Sequence, residues 1–262
     1  MRFTSGGRLV ERLAGPSAGG PPRPPRRWRT IETGPDLWAH AGEADDQSWL
    51  RRPAAELARE ALQQGLLFPL ARTLARPRVI GADDLMHAPQ PAIIAPNHAS
   101  DIDTPLILAA LPRAWRARTV VAAAADRFYR KRAYAVLAGL WINTFPFDRG
   151  SDLRGVAGAA ELVRSGYNIL VYPQATRSAG QTEGFRTGVG RLCLATNAPL
   201  IPVHVGGTAL IMPKGRGLIQ RGNTTVSFGR PIFPRDGEHP RDLVDRAQAV
   251  IAALEASRAR AR

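Results

Sequence analysis

Within Pro96-Asn97-His98-Ala99-Ser100-Asp101-Ile102-Asp103-Thr104-Pro105 an imidazole and a carboxylate stand five residues apart, a pairing capable of general-base chemistry. A carboxylate bound to one ring nitrogen fixes the tautomer and stabilises the imidazolium, while the other nitrogen takes a proton from a hydroxyl. On a continuous helix the two side chains would diverge by about 140° at 3.6 residues per turn. They meet only if His98 sits in a loop and the chain turns before Asp103. Ser100 or Asp101 as N-cap would supply that turn and leave Asp103 in the first helical turn, its carboxylate free to reach back.

The elements that must hold such a pair read as an α/β domain, in which active-site groups gather at the carboxyl ends of strands. Strands are expected at Ala92 to Ala95, Thr119 to Ala122, Ile142 to Phe147, Asn168 to Tyr172, Leu200 to Val205 and Thr224 to Phe228. Helices are expected between them, at Asp103 to Ala110, Arg127 to Leu140, Leu153 to Arg164 and Arg186 to Thr196, with a terminal one from Arg241 to about Arg258. From Ala54 onward Leu57, Leu62, Leu66, Leu67, Leu70 and Leu74 recur near the helical period, with Arg59, Gln63, Gln64, Arg72 and Arg76 mostly elsewhere. That predicts an amphipathic helix, kinked or split near Phe68 by Pro69, with a face suited either to core packing or to a membrane. Residues 1–50 are rich in Pro, Gly and Arg and lack either period, so they read as a mostly disordered tail, although Trp28, Trp38 and Trp49 fall in it. The folded domain is then 51–258, followed by a basic tail, 259–262.

Around the His-Asp pair the sequence resembles the glycerolipid acyltransferases typified by lysophosphatidic acid acyltransferase. Asn97-His98-x4-Asp103 is similar to the family's first motif, Asn-His-x4-Asp. Three further blocks follow in the family's order: Phe145-Pro146-Phe147-Asp148-Arg149, then Tyr172-Pro173-Gln174-Ala175-Thr176-Arg177-Ser178, then Ala198-Pro199-Leu200-Ile201-Pro202-Val203. The resemblance runs from about Leu57 to Phe233. It implies a single α/β domain like glycerol-3-phosphate acyltransferase, with a central mixed, largely parallel sheet flanked by helices. It also implies His98 and Asp103 as the catalytic pair, and Asn97, Arg149, Gln174, Ala175, Thr176, Arg177 and Ser178 as substrate-binding residues. Guanidinium groups at Arg149 and Arg177 could clamp an acceptor phosphate through bidentate bonds.

The implied reaction moves an acyl chain from coenzyme A or acyl carrier protein onto the hydroxyl of a lysophospholipid, most simply 1-acylglycerol-3-phosphate. A thioester already carries a good leaving group, so neither a metal, a resident cofactor nor a covalent enzyme intermediate is called for. The third block departs from the usual Phe-Pro-Glu-Gly-Thr-Arg-Ser in having Gln174 for Glu and Ala175 for Gly. Gln keeps the length but loses the charge, and Ala adds a methyl group where Gly permits close approach, so a different acceptor or a non-catalytic lipid-binding relative stands as the alternative.

The net charge of +14 is concentrated at the chain ends: residues 1–30 carry seven arginines against Glu11 alone, and Arg258, Arg260 and Arg262 close the chain. Basic ends attract anionic lipid headgroups and nucleic acid phosphates alike. The four ordered blocks and the lack of helix-turn-helix, zinc or RNA-binding signatures point to an anionic membrane surface and away from nucleic acid. No apolar run approaches the roughly 20 residues that cross a bilayer, and no secretory h-region forms in the first 30 residues. The lone Cys193 permits no internal disulfide and reads as a buried packing residue. The expectation is a cytoplasmic protein associated peripherally with the inner face of the membrane. A serine hydrolase is disfavoured because Thr176-Arg177-Ser178-Ala179-Gly180 lacks the first glycine of a nucleophile elbow. A metal hydrolase is disfavoured because His40, His87, His204 and His239 show no ligand spacing toward His98, Asp101 and Asp103.

Overall fold

A computed structural model describes residues 47–124, 132–147, 152–174, 184–212 and 219–260. Among them seven strands form one sheet: β1 (Pro77–Ile80), β2 (Ile93–Pro96), β3 (Thr119–Ala124), β4 (Thr144–Phe147), β5 (Asn168–Leu170), β6 (Leu200–Gly206) and β7 (Thr224–Phe228). Their order across the sheet is β1-β7-β6-β2-β5-β3-β4. Every neighbouring pair is parallel except β6 and β7. The expected mixed, largely parallel sheet is therefore present, and β2, which leads into the His-Asp loop, lies near its centre.

Centrality explains the composition of β2, where Ile93, Ile94 and Ala95 are all fully buried. A parallel strand covered on both faces has no solvent side and reads as a continuous apolar run. Ile93, Ile169 and Leu200 join the core under helices Asp152–Arg164, Gly188–Thr196 and Pro240–Arg260. Ile94, Leu170 and Ile201 join the core under helices Phe68–Ala75 and Asp103–Ala110. On the first face Gly190 lets two helices meet, since a Cβ there would run into the Pro240 carbonyl.

Several boundaries differ from the expectation for identifiable reasons. Edge strand β1 was missed because it opens on Pro77 and leaves Val79 and Ile80 exposed, so it shows no apolar alternation. Strand β4 begins at Thr144 and not at Ile142, because the preceding helix runs on to Ile142. Asn143 then ends it in the left-handed region at φ 54°, donating its Nδ2 to the Thr119 carbonyl. That helix is described from Arg132, so the expected start at Arg127 lies outside the described residues. The last helix spans Pro240–Arg260, two residues past the expected end of the domain. At the other end the described fold starts before residue 51, with a 3₁₀ turn over Gln47–Arg51 that buries Leu50 completely. The rest of the expected tail, including Trp28 and Trp38, lies outside the described residues.

The N-terminal helix is split where Pro69 requires it. Helix Pro53–Leu62 passes through a π-helical turn, Gln63–Leu67, in which the Phe68 N–H reaches the Gln63 carbonyl, before helix Phe68–Ala75 resumes. Its faces are partly inverted relative to the sequence pattern. Arg59 and Gln63 are buried, whereas Leu57, Leu66 and Leu70 are exposed. The two polar side chains face the carboxyl end of helix Arg132–Ile142, where carbonyls keep acceptor capacity that the helix itself does not fill, although Gly139 also accepts the Asn143 N–H. Arg59 donates to Gly139 and Leu50, and Gln63 donates to Trp141.

Candidate active site

The site begins where β2 ends. Asn97 keeps the ladder to β6 with its side chain: Nδ2 donates to the Val205 carbonyl at 2.9 Å, and Oδ1 accepts the Val205 N–H at 2.6 Å. Held in this way, the backbone is released to turn at the next residue, His98. The structure thus makes Asn97 an anchor of the loop, with both ends of its amide committed to the scaffold, where the expectation was substrate binding.

His98 and Asp103 meet. Nδ1 of His98 lies 3.0 Å from Oδ2 of Asp103, and the same oxygen accepts the N–H groups of Ala99 at 2.7 Å and Ser100 at 2.8 Å. Asp103 is fully buried at the start of helix Asp103–Ala110. A carboxylate there lies at the positive end of the helix and gathers three donors, which wraps the loop around a single oxygen. With Nδ1–H donating to Asp103, Nε2 is left with its lone pair. The expected cap is corrected: the N-cap is Ile102, neither Ser100 nor Asp101 caps the helix, and the Ser100 hydroxyl donates to the Met212 carbonyl at 3.0 Å. The turn is made by the Asp103 side chain itself.

Two contacts from the segment that follows β5 complete the seat of the imidazole. The side-chain oxygen of the buried Gln174 accepts the His98 backbone N–H at 2.8 Å. Gln174, expected among the substrate-binding residues, therefore takes part in holding the base. The ring of Tyr172 stacks on the His98 ring, with centroids 4.0 Å apart and planes inclined by 29°. Its hydroxyl lies 2.7 Å from Thr104 Oγ1. Burial, reinforced by the Asp103 carboxylate, pushes the Tyr172 phenol well above its usual range, which keeps the hydroxyl protonated. Sequence reasoning did not find Tyr172 or Thr104, although the first adjoins Pro173-Gln174 and the second follows Asp103.

Arg149, Ala175, Thr176, Arg177 and Ser178 lie outside the described residues. The strands that lead toward them, β4 and β5, run in the same sense as β2, so their carboxyl ends share the sheet edge that carries His98. Behind that edge His204 on β6 is buried, with Nδ1 lacking a hydrogen-bond partner among the described residues. Burial first, and the Arg258 charge second, lower its pKa to about 4. Cys193 is fully buried in the core beneath the opposite face of the sheet, as expected of a packing residue, and burial pushes its thiol up. Among the described residues no group of three or more His, Cys, Asp or Glu side chains could hold a metal ion. No described helix is long and apolar enough to cross a membrane.

A family model described as Acyltransferase matches residues 76–206, which contain every site residue named above except Arg258 and Met212. The chain is similar to the chloroplastic 1-acyl-sn-glycerol-3-phosphate acyltransferase BAT2 of Brassica napus, at 33% identity over 94 residues, 35% of this chain and 26% of that protein. It is also similar to a 1-acyl-sn-glycerol-3-phosphate acyltransferase of Cocos nucifera, at 26% identity over 157 residues, 57% of this chain and 48% of that protein. The matched regions thus span from about a quarter to about half of these relatives. Among solved structures, the fold is similar to that of the 1-acyl-sn-glycerophosphate (LPA) acyltransferase PlsC from Thermotoga maritima. The TM-score is 0.58 at 19% identity, covering 83% of this chain and 85% of that one.

Proposed function

The chain belongs to the acyltransferase family, and from that premise we propose that it transfers a fatty acyl group from a thioester to the free hydroxyl of a lysophospholipid. The observation that carries the reading is the 3.0 Å contact between His98 Nδ1 and Asp103 Oδ2, which leaves Nε2 as the base. Nε2 takes the acceptor's hydroxyl proton as the oxygen attacks the thioester carbonyl. The tetrahedral adduct then expels the thiolate, which recovers the proton from the imidazolium and leaves as a thiol. Asp103 holds the imidazolium throughout, and the enzyme forms no covalent bond.

The acceptor is 1-acylglycerol-3-phosphate in this reading, a choice supported by the substrate named for the Brassica and Cocos relatives. Arg149 and Arg177 bind its phosphate, with Thr176, Ser178 and the Ala175 backbone beside them. The donor is acyl-coenzyme A or acyl carrier protein, both anionic, and the protein works peripherally on the inner, anionic face of the cytoplasmic membrane, to which its basic ends are suited. The commitment of Gln174 to the His98 N–H favours catalysis over a non-catalytic relative, because this departure from the usual Glu still supports the base.

The test is product formation from labelled oleoyl-coenzyme A and lysophosphatidic acid in detergent micelles, with labelled phosphatidic acid expected. If neither coenzyme A nor acyl carrier protein donors gave an acylated product with any lysophospholipid, the reading would fall.

A further inference from the structure

Adjacent residues at the start of helix Asp103–Ala110 grip the same imidazole from two directions. Asp103 meets its edge at Nδ1, and Thr104 holds the hydroxyl of Tyr172, whose ring lies against its face. We propose that Tyr172 is a positioning residue that stabilises the protonated form of His98, and that Thr104 is the tether that keeps its ring in place.

The face of a phenol ring carries negative charge density, and a cation within about 6 Å of the centroid is attracted to it, more strongly where water is excluded. The His98 side chain is only 16% exposed, and the Tyr172 ring stands 4.0 Å from it. A general base becomes a cation as it takes the acceptor proton, so this attraction grows as the reaction proceeds and acts on the rate more than on binding. The hydroxyl has a separate duty. A ring free to swing would spend part of its time off the imidazole, and the 2.7 Å bond to Thr104 removes that freedom. A phenylalanine would offer the same π face but could not be tethered, whereas a leucine would fill the space without a π face.

Only the kinetic part of this inference rests on the proposed acyl transfer, so the test has two arms. In the first, the full chain is labelled at histidine Cε1, and its five histidines are followed by NMR as pH is varied, His98→Ala identifying the resonance. Tyr172→Leu should shift the His98 titration downward by about 0.5 to 1 pH unit, and Tyr172→Phe, which keeps the π face but loses the tether, should restore it only in part. In the second arm, kcat of Tyr172→Leu should fall about tenfold with KM nearly constant, and the acid limb of the pH profile should move the same way. Thr104→Val, which retains the ring, should weaken the upfield ring-current shift of the His98 proton. It carries the test by itself if Tyr172→Leu does not fold. A Tyr172→Leu protein that is folded and titrates as wild type, or a Thr104→Val protein with an unchanged ring-current shift, would overturn the inference. A protein inert toward every acyl donor but with a Tyr172-dependent titration would remove the proposed reaction and leave the platform standing.

Discussion

The side-chain oxygen of Gln174 accepts the backbone N–H of His98 at 2.8 Å, so a residue of the third sequence block is bonded directly to the base of the first. Removing that acceptor leaves a partly buried N–H unpaired, at a cost of about 1–3 kcal/mol, and loosens the loop that aims the imidazole. Gln174→Leu should therefore lower kcat about ten- to a hundredfold. Gln174→Glu keeps an acceptor and adds a negative charge near the ring, so it should stay active while its acid limb moves to higher pH. Steady-state pH profiles of the three proteins check this, and a fully active Gln174→Leu would contradict it.

Arg59 is a stability determinant remote from the chemistry. Its buried guanidinium joins the carbonyls of Gly139 and Leu50, and burial lowers its pKa. Arg59→Ala should destabilise the fold by roughly 1–3 kcal/mol, by stranding the Leu50 carbonyl and removing a second donor from Gly139, which keeps the Asn143 N–H, with KM little changed. Arg59→Lys should recover less than half of the loss, since a point ammonium cannot span both acceptors. Urea denaturation measures both.

His204 makes stability pH-dependent on the acid side. Its folded pKa of about 4 lies below the ordinary 6.5, through burial first and the nearby Arg258 second. Between pH 6.5 and 4 the unfolded chain binds a proton that the folded one refuses, so stability is highest above this window, falls as pH drops through it and levels off below pH 4. The shift corresponds to a loss on the order of 3 kcal/mol. Denaturation midpoints across that range should show the slope in wild type and a smaller one in His204→Gln.

Cys193 sits fully buried in the core on the face away from the His-Asp helix. Cys193→Ala should retain turnover within about twofold while losing about 1 kcal/mol of stability. Loss of acyl transfer by a folded variant would implicate a covalent step and count against direct attack by the acceptor hydroxyl.

What was legible in the sequence followed from strong local signals. The strand Thr224–Phe228 and the helix Asp103–Ala110 fall where β-branched content and apolar patterning placed them. Local geometry gave only the condition under which His98 and Asp103 could meet, a loop that turns before the helix start; the resemblance implied that they do, and the cap expected to make the turn is replaced by the Asp103 side chain. Contacts between distant segments were not legible. The Thr104–Tyr172 bond spans 68 positions and the Asn97–Val205 pair 108, so neither leaves a spacing signature. Helical periodicity placed Arg59 and Gln63 outside because it records apolarity, whereas their neighbour is the carbonyl-rich end of another helix, which selects donors.

The central claim is that His98, oriented by Asp103, activates the acceptor hydroxyl. It is tested most directly by measuring free thiol released from oleoyl-coenzyme A with and without lysophosphatidic acid, comparing wild type with His98→Ala and Asp103→Asn. Acceptor-dependent release by wild type, lost in His98→Ala and reduced at least a hundredfold in Asp103→Asn while both variants stay folded, is the expected result. Acceptor-dependent release that survives in His98→Ala would contradict the account.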